Sequence, residues 1–396
     1  MRSEDLRAAS LLPPASGAWR DGDRPGRRRF AALDGFAFES GERLEAVRLA
    51  YECWGQLAPD GGNAVLVLHA LTGDSHVEGP AGDGHPSPGW WPGLIGPGKP
   101  IDTERWFVVA PNMLGGCQGS TGPSSLAPDG REYGARFPHT TVRDQVRAQL
   151  RLADLLGVQR FHAVVGGSMG GMHALEWACA APERTGRLVV LSAPASVDAR
   201  TIAQNTLQAE VIRLDPGWRD GDYYDEPAGS GPHRGLALAR RMAMLGYRAQ
   251  HELDERFSRS WQSRTRSPGD GGGRYAVESY LDFHGNRFTR RFDANSYITL
   301  TRAMSSHDVG RDRGGAEAAL AAARMPSLVI GIDSDALFPV ETQHRIAAGL
   351  PGSRTGDAAL VIESDFGHDG FLLELPRVGA AIRAVLEDAP LTGWNE

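Results

Sequence analysis

Ser168 is the residue whose surroundings best equip it for covalent chemistry. It lies in VVGGSMGGMHALEW at 164–177, which contains a G-x-S-x-G match at Gly166–Gly170. Five residues with three fixed recur by chance; the flanks give the match its content. The apolar run FHAVV leads in and a helical pattern ending before Pro182 leads out, the strand–turn–helix setting that presents a nucleophile on a sharp bend. Such a bend needs neighbours almost without side chains, and Gly166, Gly170 and Gly171 supply them. At a helix N-terminus the dipole also favours negative charge developing there.

A serine hydroxyl needs a base, and the base needs an orienting acid. Downstream of Ser168, His368 alone among the histidines lies in a short loop after a late strand pattern, ALVIESDFGHDGFLLE, with Gly367 and Gly370 beside it. The acid belongs after the preceding strand, SLVIGIDSDALFP, where Asp333 and Asp335 both qualify. An oxyanion calls for two backbone N–H donors. That of Met169 follows the nucleophile, and that of Leu71 lies in the loop HALTGD after an early strand. His69 precedes the nucleophile, and His307 has no strand before it, so both read as structural.

The elements that must position these groups follow from the apolar runs at 64–70, 106–112, 161–167, 187–194, 327–333 and 359–364. Each is short, β-branched and closed by Gly, Asp, Ser or Pro, as expected of strands covered on both faces. Helical patterns alternate with them; Thr141 and Asp144 form a capping box for one, which Gly157 stops. The alternation predicts an α/β fold with a mainly parallel sheet. It breaks over 197–308, a helical stretch read as a lid inserted into a core of 31–196 and 309–396. Residues 1–30, rich in Arg, Pro and Gly, read as a flexible arm.

The 396 residues allow a large core, with 41% hydrophobic and 23% charged residues in the range of soluble proteins. A formal charge of −7 gives nucleic acid no electrostatic footing. No apolar stretch is long enough for a membrane span, and the N-terminus has no secretory h-region. Cys53, Cys117 and Cys179 match no metal or redox spacing, which points to a reducing cytoplasm and no bound metal.

With these residues assembled, the chain resembles the homoserine O-acetyltransferase family of α/β-hydrolase-fold enzymes, over about residues 44 to 386. The matching blocks include NAVLVLHALTGDSHV, NMLGGCQGSTGPSS, FPHTTVRDQV, GGSMGGMHALEW, GLALARRMAMLGYR, RFDANSY, SDALFP and GHDGFL, in the family's order. The resemblance implies that Ser168 is acylated, that Asp335 rather than Asp333 is the triad acid, and that His368 is the base. It implies that Arg240, with Tyr247 nearby, binds the acceptor's carboxylate and that Asp369 binds its amino group. It further implies a ping-pong cycle in methionine biosynthesis, with acetyl-CoA as co-substrate, L-homoserine as acceptor, no cofactor, and a homodimer through the lid helices. Family members using succinyl-CoA tend to carry arginine where this chain has Leu337, which favours acetyl. Pro92 and His173 depart from the family pattern. Relatives acylating serine or a natural-product hydroxyl, and ester or thioester hydrolases, are the alternatives.

Overall fold

The computed structural model describes residues 12–391 except residue 264. Eight strands form one sheet: β1 (Arg29–Ala37), β2 (Arg43–Trp54), β3 (Ala64–Leu68), β4 (Phe107–Pro111), β5 (Ala163–Gly167), β6 (Leu188–Leu191), β7 (Ser327–Ile332) and β8 (Leu360–Ile362). Their spatial order is β1-β2-β4-β3-β5-β6-β7-β8. From β4 to β8 neighbours run parallel, while β2 is antiparallel to β1 and β4. Every residue of β3, β5, β6 and β7 is buried, because helices cover both faces.

On one face lie α1 (Val142–Leu155) and α2 (Met169–Ala180), with Val146, Leu152 and Trp177 fully buried between helices and sheet. The Thr141–Asp144 capping box forms: the Thr141 hydroxyl accepts the Asp144 N–H and the Asp144 carboxylate accepts the Thr141 N–H. Between β6 and β7 the chain runs through α3 (Ala199–Arg213), α4 (His233–Tyr247), α5 (Gln250–Phe257), α6 (Ala276–Phe288), α7 (Ala294–Ser305) and α8 (Ala316–Ala322). A bridge between Ser196 and Asp308 joins the points where this excursion leaves and returns. After β7 come α9 (Val340–Gly349), the short α10 (Gly370–Leu373) and α11 (Leu375–Leu386). The last buries Val378, Ile382 and Val385 against the sheet's other face, each worth about 1.5–3 kcal/mol when fully buried.

Residues 1–30, expected to form a flexible arm, differ in their surroundings. The first eleven lie outside the described residues; residues 13–20 are half-buried, residues 21–27 are exposed, Arg28 is buried, and β1 begins at Arg29. Ser16 donates to Asp293 at 2.7 Å, and the Trp19 N–H donates to the Cys117 carbonyl at 2.9 Å. Arg28 is buried because its guanidinium finds acceptors in Gln118 and in the Gly84 carbonyl. Charge-rich composition suggested solvation, which holds for residues 21–27; paired donors made the burial of Arg28 possible. Among the described residues no helix is long and apolar enough to cross a membrane.

Candidate active site

The run from β5 into α2 turns at Ser168, whose φ of 56° and ψ of −125° are costly for a residue with a side chain. Close packing enforces the bend. A Cβ on Gly166 would lie 2.1 Å from the Gly170 carbonyl oxygen, and one on Gly170 would lie 2.1 Å from that of Leu68. The second contact seats the start of α2 against the end of β3, beside the loop that carries Leu71.

His368 lies in the turn after β8. Its Nε2 is 2.8 Å from Ser168 Oγ and its Nδ1 is 2.7 Å from Asp335 Oδ2. All three residues are buried. Asp335 Oδ1 accepts the N–H groups of Leu337 and Phe338, which fixes the carboxylate. Asp333 is exposed and accepts from the Ser334 and Ser364 N–H groups instead, so it ties the two turns together away from the imidazole. Burial alone would lower the His368 pKa, but the charge and hydrogen bond of Asp335 outweigh it and hold the ring above the ordinary 6.5.

Leu71 is buried in the loop after β3, and Met169 is the first residue of α2. The loop is pinned by His69, whose Nε2 accepts the Met113 N–H at 3.1 Å while Nδ1 donates to the Ala70 carbonyl at 2.7 Å. His307 is buried too, and its backbone carbonyl accepts the Val197 N–H. His173 lies buried between the Met169 carbonyl, 2.7 Å from Nδ1, and the Gln145 side-chain amide, 2.8 Å from Nε2.

Ser168 and His368 open on a cavity of about 520 Å³ that Arg240, Tyr247 and Asp369 also line. The Arg240 guanidinium lies over the rings of Tyr247 and Phe288, at 5.4 and 5.2 Å. Among the described residues no carboxylate pairs with it. Asp369 faces the same space, with one oxygen 3.3 Å from Arg248. Arg248 is held in turn by Glu252, four residues on. Sequence reasoning passed over Arg248, Arg287 and Arg291, which also line the cavity. The i,i+4 spacing of Arg248 and Glu252 was a usable signal for the first. Arg291 donates to the Thr72 carbonyl, one residue beyond Leu71.

Glu52, His76 and His85 also escaped the sequence reading; their potential ligand atoms lie within 4.8 Å of one another. They do not fit an ion. The two imidazoles are stacked at 3.7 Å and 12°, so their in-plane lone pairs cannot converge, and His85 Nε2 already accepts the Arg27 N–H. His76 Nδ1 lies 3.1 Å from Glu52, a pairing that ties the loop after β3 to β2.

Likeness to known proteins places the chain in a family. A family model for the alpha/beta hydrolase fold matches residues 63–375. A homoserine O-acetyltransferase from Clavibacter michiganensis subsp. michiganensis is 63% identical over 98% of this chain and 99% of its own. The chain belongs to the homoserine O-acetyltransferase family. Another family member, from Thermobifida fusca, is 55% identical over 94% of this chain and 97% of its own. The crystal structure of the homoserine O-acetyltransferase from Bacillus anthracis superposes with a TM-score of 0.81 at 30% identity, covering 91% of this chain and 97% of that one. Esterase E22 matches equally well in shape, with a TM-score of 0.81 at 28% identity over 91% and 99% of the two chains. The homoserine O-acetyltransferase family and esterases thus share this scaffold.

Proposed function

We propose that the protein transfers an acetyl group from acetyl-CoA to the hydroxyl of L-homoserine through an acetyl-Ser168 intermediate, a step of methionine biosynthesis. Ser168 Oγ attacks the thioester carbonyl and the C–S bond breaks. The serine proton passes to His368 Nε2 and on to the departing thiolate. The homoserine hydroxyl then gives its proton to His368 and attacks the ester, and Ser168 Oγ leaves and takes the proton back. Asp335 stabilises the transient imidazolium, and the N–H groups of Leu71 and Met169 receive the oxyanion. The thioester is already activated, so the cycle requires no cofactor or metal.

The observation that carries the reading is that Arg240 and Asp369 both line the cavity onto which Ser168 and His368 open. A zwitterionic acceptor brings one anion and one cation, and a guanidinium free of carboxylates suits the anion. Water needs neither, which separates this reading from the esterase alternative favoured by the likeness to E22. An acceptor panel with acetyl-CoA and succinyl-CoA tests it. The expected result is acetyl transfer to homoserine with higher kcat/KM than to serine, and little turnover of succinyl-CoA. Acetyl-CoA cleavage indifferent to any amino acid would make the protein a hydrolase.

Assembly and location belong to the same reading. Leu207 on α3 and Leu238 and Leu245 on α4 are exposed, as is Leu214 just beyond α3, an apolar face suited to a homodimer through the lid helices. The three cysteines are free thiols, in keeping with a reducing cytoplasm.

A further inference from the structure

Ser168 faces two cavities that differ in one respect important for the reaction. Leu71 and Ser168 line both, but His368 lines the larger, about 520 Å³, and not the smaller, about 20 Å³. The tetrahedral intermediate distributes four groups about the acyl carbon: Ser168 Oγ, the oxyanion, the departing sulfur or arriving oxygen, and the acyl tail. The sulfur or oxygen exchanges a proton with His368 Nε2 and so belongs in the larger cavity. The oxyanion turns to the backbone N–H donors. The tail is left with the smaller cavity.

That cavity is lined by the polar side chains of Thr201, Gln204, Asn205 and Gln208 from α3, and by the apolar ones of Met242 from α4, Met304 from α7 and Leu337 from the turn after Asp335. About 10–15 Å³ of such space holds one water molecule, so about 20 Å³ takes a methyl group. A longer tail requires part of this lining to give way, and the unbranched methionines are its long apolar members. We propose that Met242 and Met304 set the length of the acyl group, closing the space behind Ser168 to tails longer than acetyl. This deepens the acyl-transfer reading and rests on it. Both side chains come from helices between β6 and β7 while Ser168 stands on the turn between β5 and α2, so the limit arises where insertion and core meet. Met304 is buried and Met242 half-buried. Unbranched thioethers suit an irregular wall that must be filled without strain.

The test measures thiol release and acyl-enzyme mass with acetyl-, propionyl- and butyryl-CoA, without acceptor, for the native protein and for Met242→Ala, Met304→Ala and Met304→Leu. One methylene in an apolar pocket is worth about 10–200-fold in discrimination. The native protein is expected to acylate at least about tenfold faster from acetyl- than from propionyl-CoA. Each alanine variant should raise the propionyl-to-acetyl ratio by about tenfold, and Met304→Leu, of similar volume, should keep the native ratio. A native protein that accepts butyryl as readily as acetyl overturns the proposal, as do alanine variants whose ratio stays within about twofold of native. Should Met304→Ala fail to fold, the half-buried Met242 and the native donor series decide alone. Failure of the native protein to form any acyl adduct overturns the acyl-serine reading itself, so the two failures are distinct.

Discussion

The Asp335 carboxylate lies 2.7 Å from His368 Nδ1, while Asp333, two residues earlier, spends its carboxylate on the backbone N–H groups of Ser334 and Ser364. The sign of the resulting pKa shift sets a pH dependence. The base form of His368 is the active one, and its pKa is raised above 6.5 because Asp335 outweighs burial. Acylation should therefore rise with pH through a midpoint above 6.5 and then level off. Asp335→Asn should move that midpoint to lower pH and cut kcat by about 10³–10⁴. Stopped-flow thiol release across pH 5–9 checks both.

Arg240 has no carboxylate partner among the described residues, so its removal costs the fold little and the acceptor much. Arg240→Ala should raise KM for homoserine by about 10–100-fold, from a lost charge-assisted contact of about 1.5–3 kcal/mol. The first thiol burst from acetyl-CoA should be unchanged, because donor attack precedes acceptor binding. Steady-state kinetics in homoserine, alongside the burst amplitude, separate the two effects.

Gly367 connects the inserted helices to the base. Its φ is +63°, and a Cβ there would lie 2.7 Å from both the Tyr247 carbonyl oxygen and the Ala249 nitrogen. Gly367→Ala should lose about 1–2 kcal/mol from backbone conformation alone, with the clash adding to it. His368 is the next residue, so activity should fall further than stability. Thermal unfolding and acylation rate, measured on the same sample, report the two losses.

His173 and His307 predict sensitivity to acid. Burial pushes both imidazoles down to about 3 in the folded chain, against 6.5 when free. Between those values the unfolded chain holds protons that the folded chain does not. Their contribution is therefore complete above pH 6.5 and declines as pH falls toward 3. Well below 6.5 the slope approaches about 1.4 kcal/mol per pH unit for each histidine. Denaturant midpoints from pH 7.5 to 5 should fall on the acid side, and less steeply in His307→Gln.

The parallel strands were legible because β3, β5, β6 and β7 are unbroken apolar runs. The β1–β2 pair was not. In RFAALDGFA only every second or third residue is buried, and arginines and glutamates interrupt the pattern of β2. Ser168 and His368 could be found locally, since each carries its own turn glycines. Local pattern left Asp333 and Asp335 equivalent, because what separates them is which carboxylate reaches a ring brought in by β8. The small cavity at Ser168 was beyond local reading for the same reason: Leu71, Met242, Met304 and Leu337 meet only through tertiary packing.

Intact-protein mass spectrometry after mixing with acetyl-CoA, before any acceptor is added, tests the central claim most directly. The native protein should gain one acetyl group, lose it on addition of homoserine, and yield O-acetylhomoserine in equal amount. Ser168→Ala should fold normally and gain nothing. An acetyl adduct in that variant, or undiminished turnover, would contradict the mechanism.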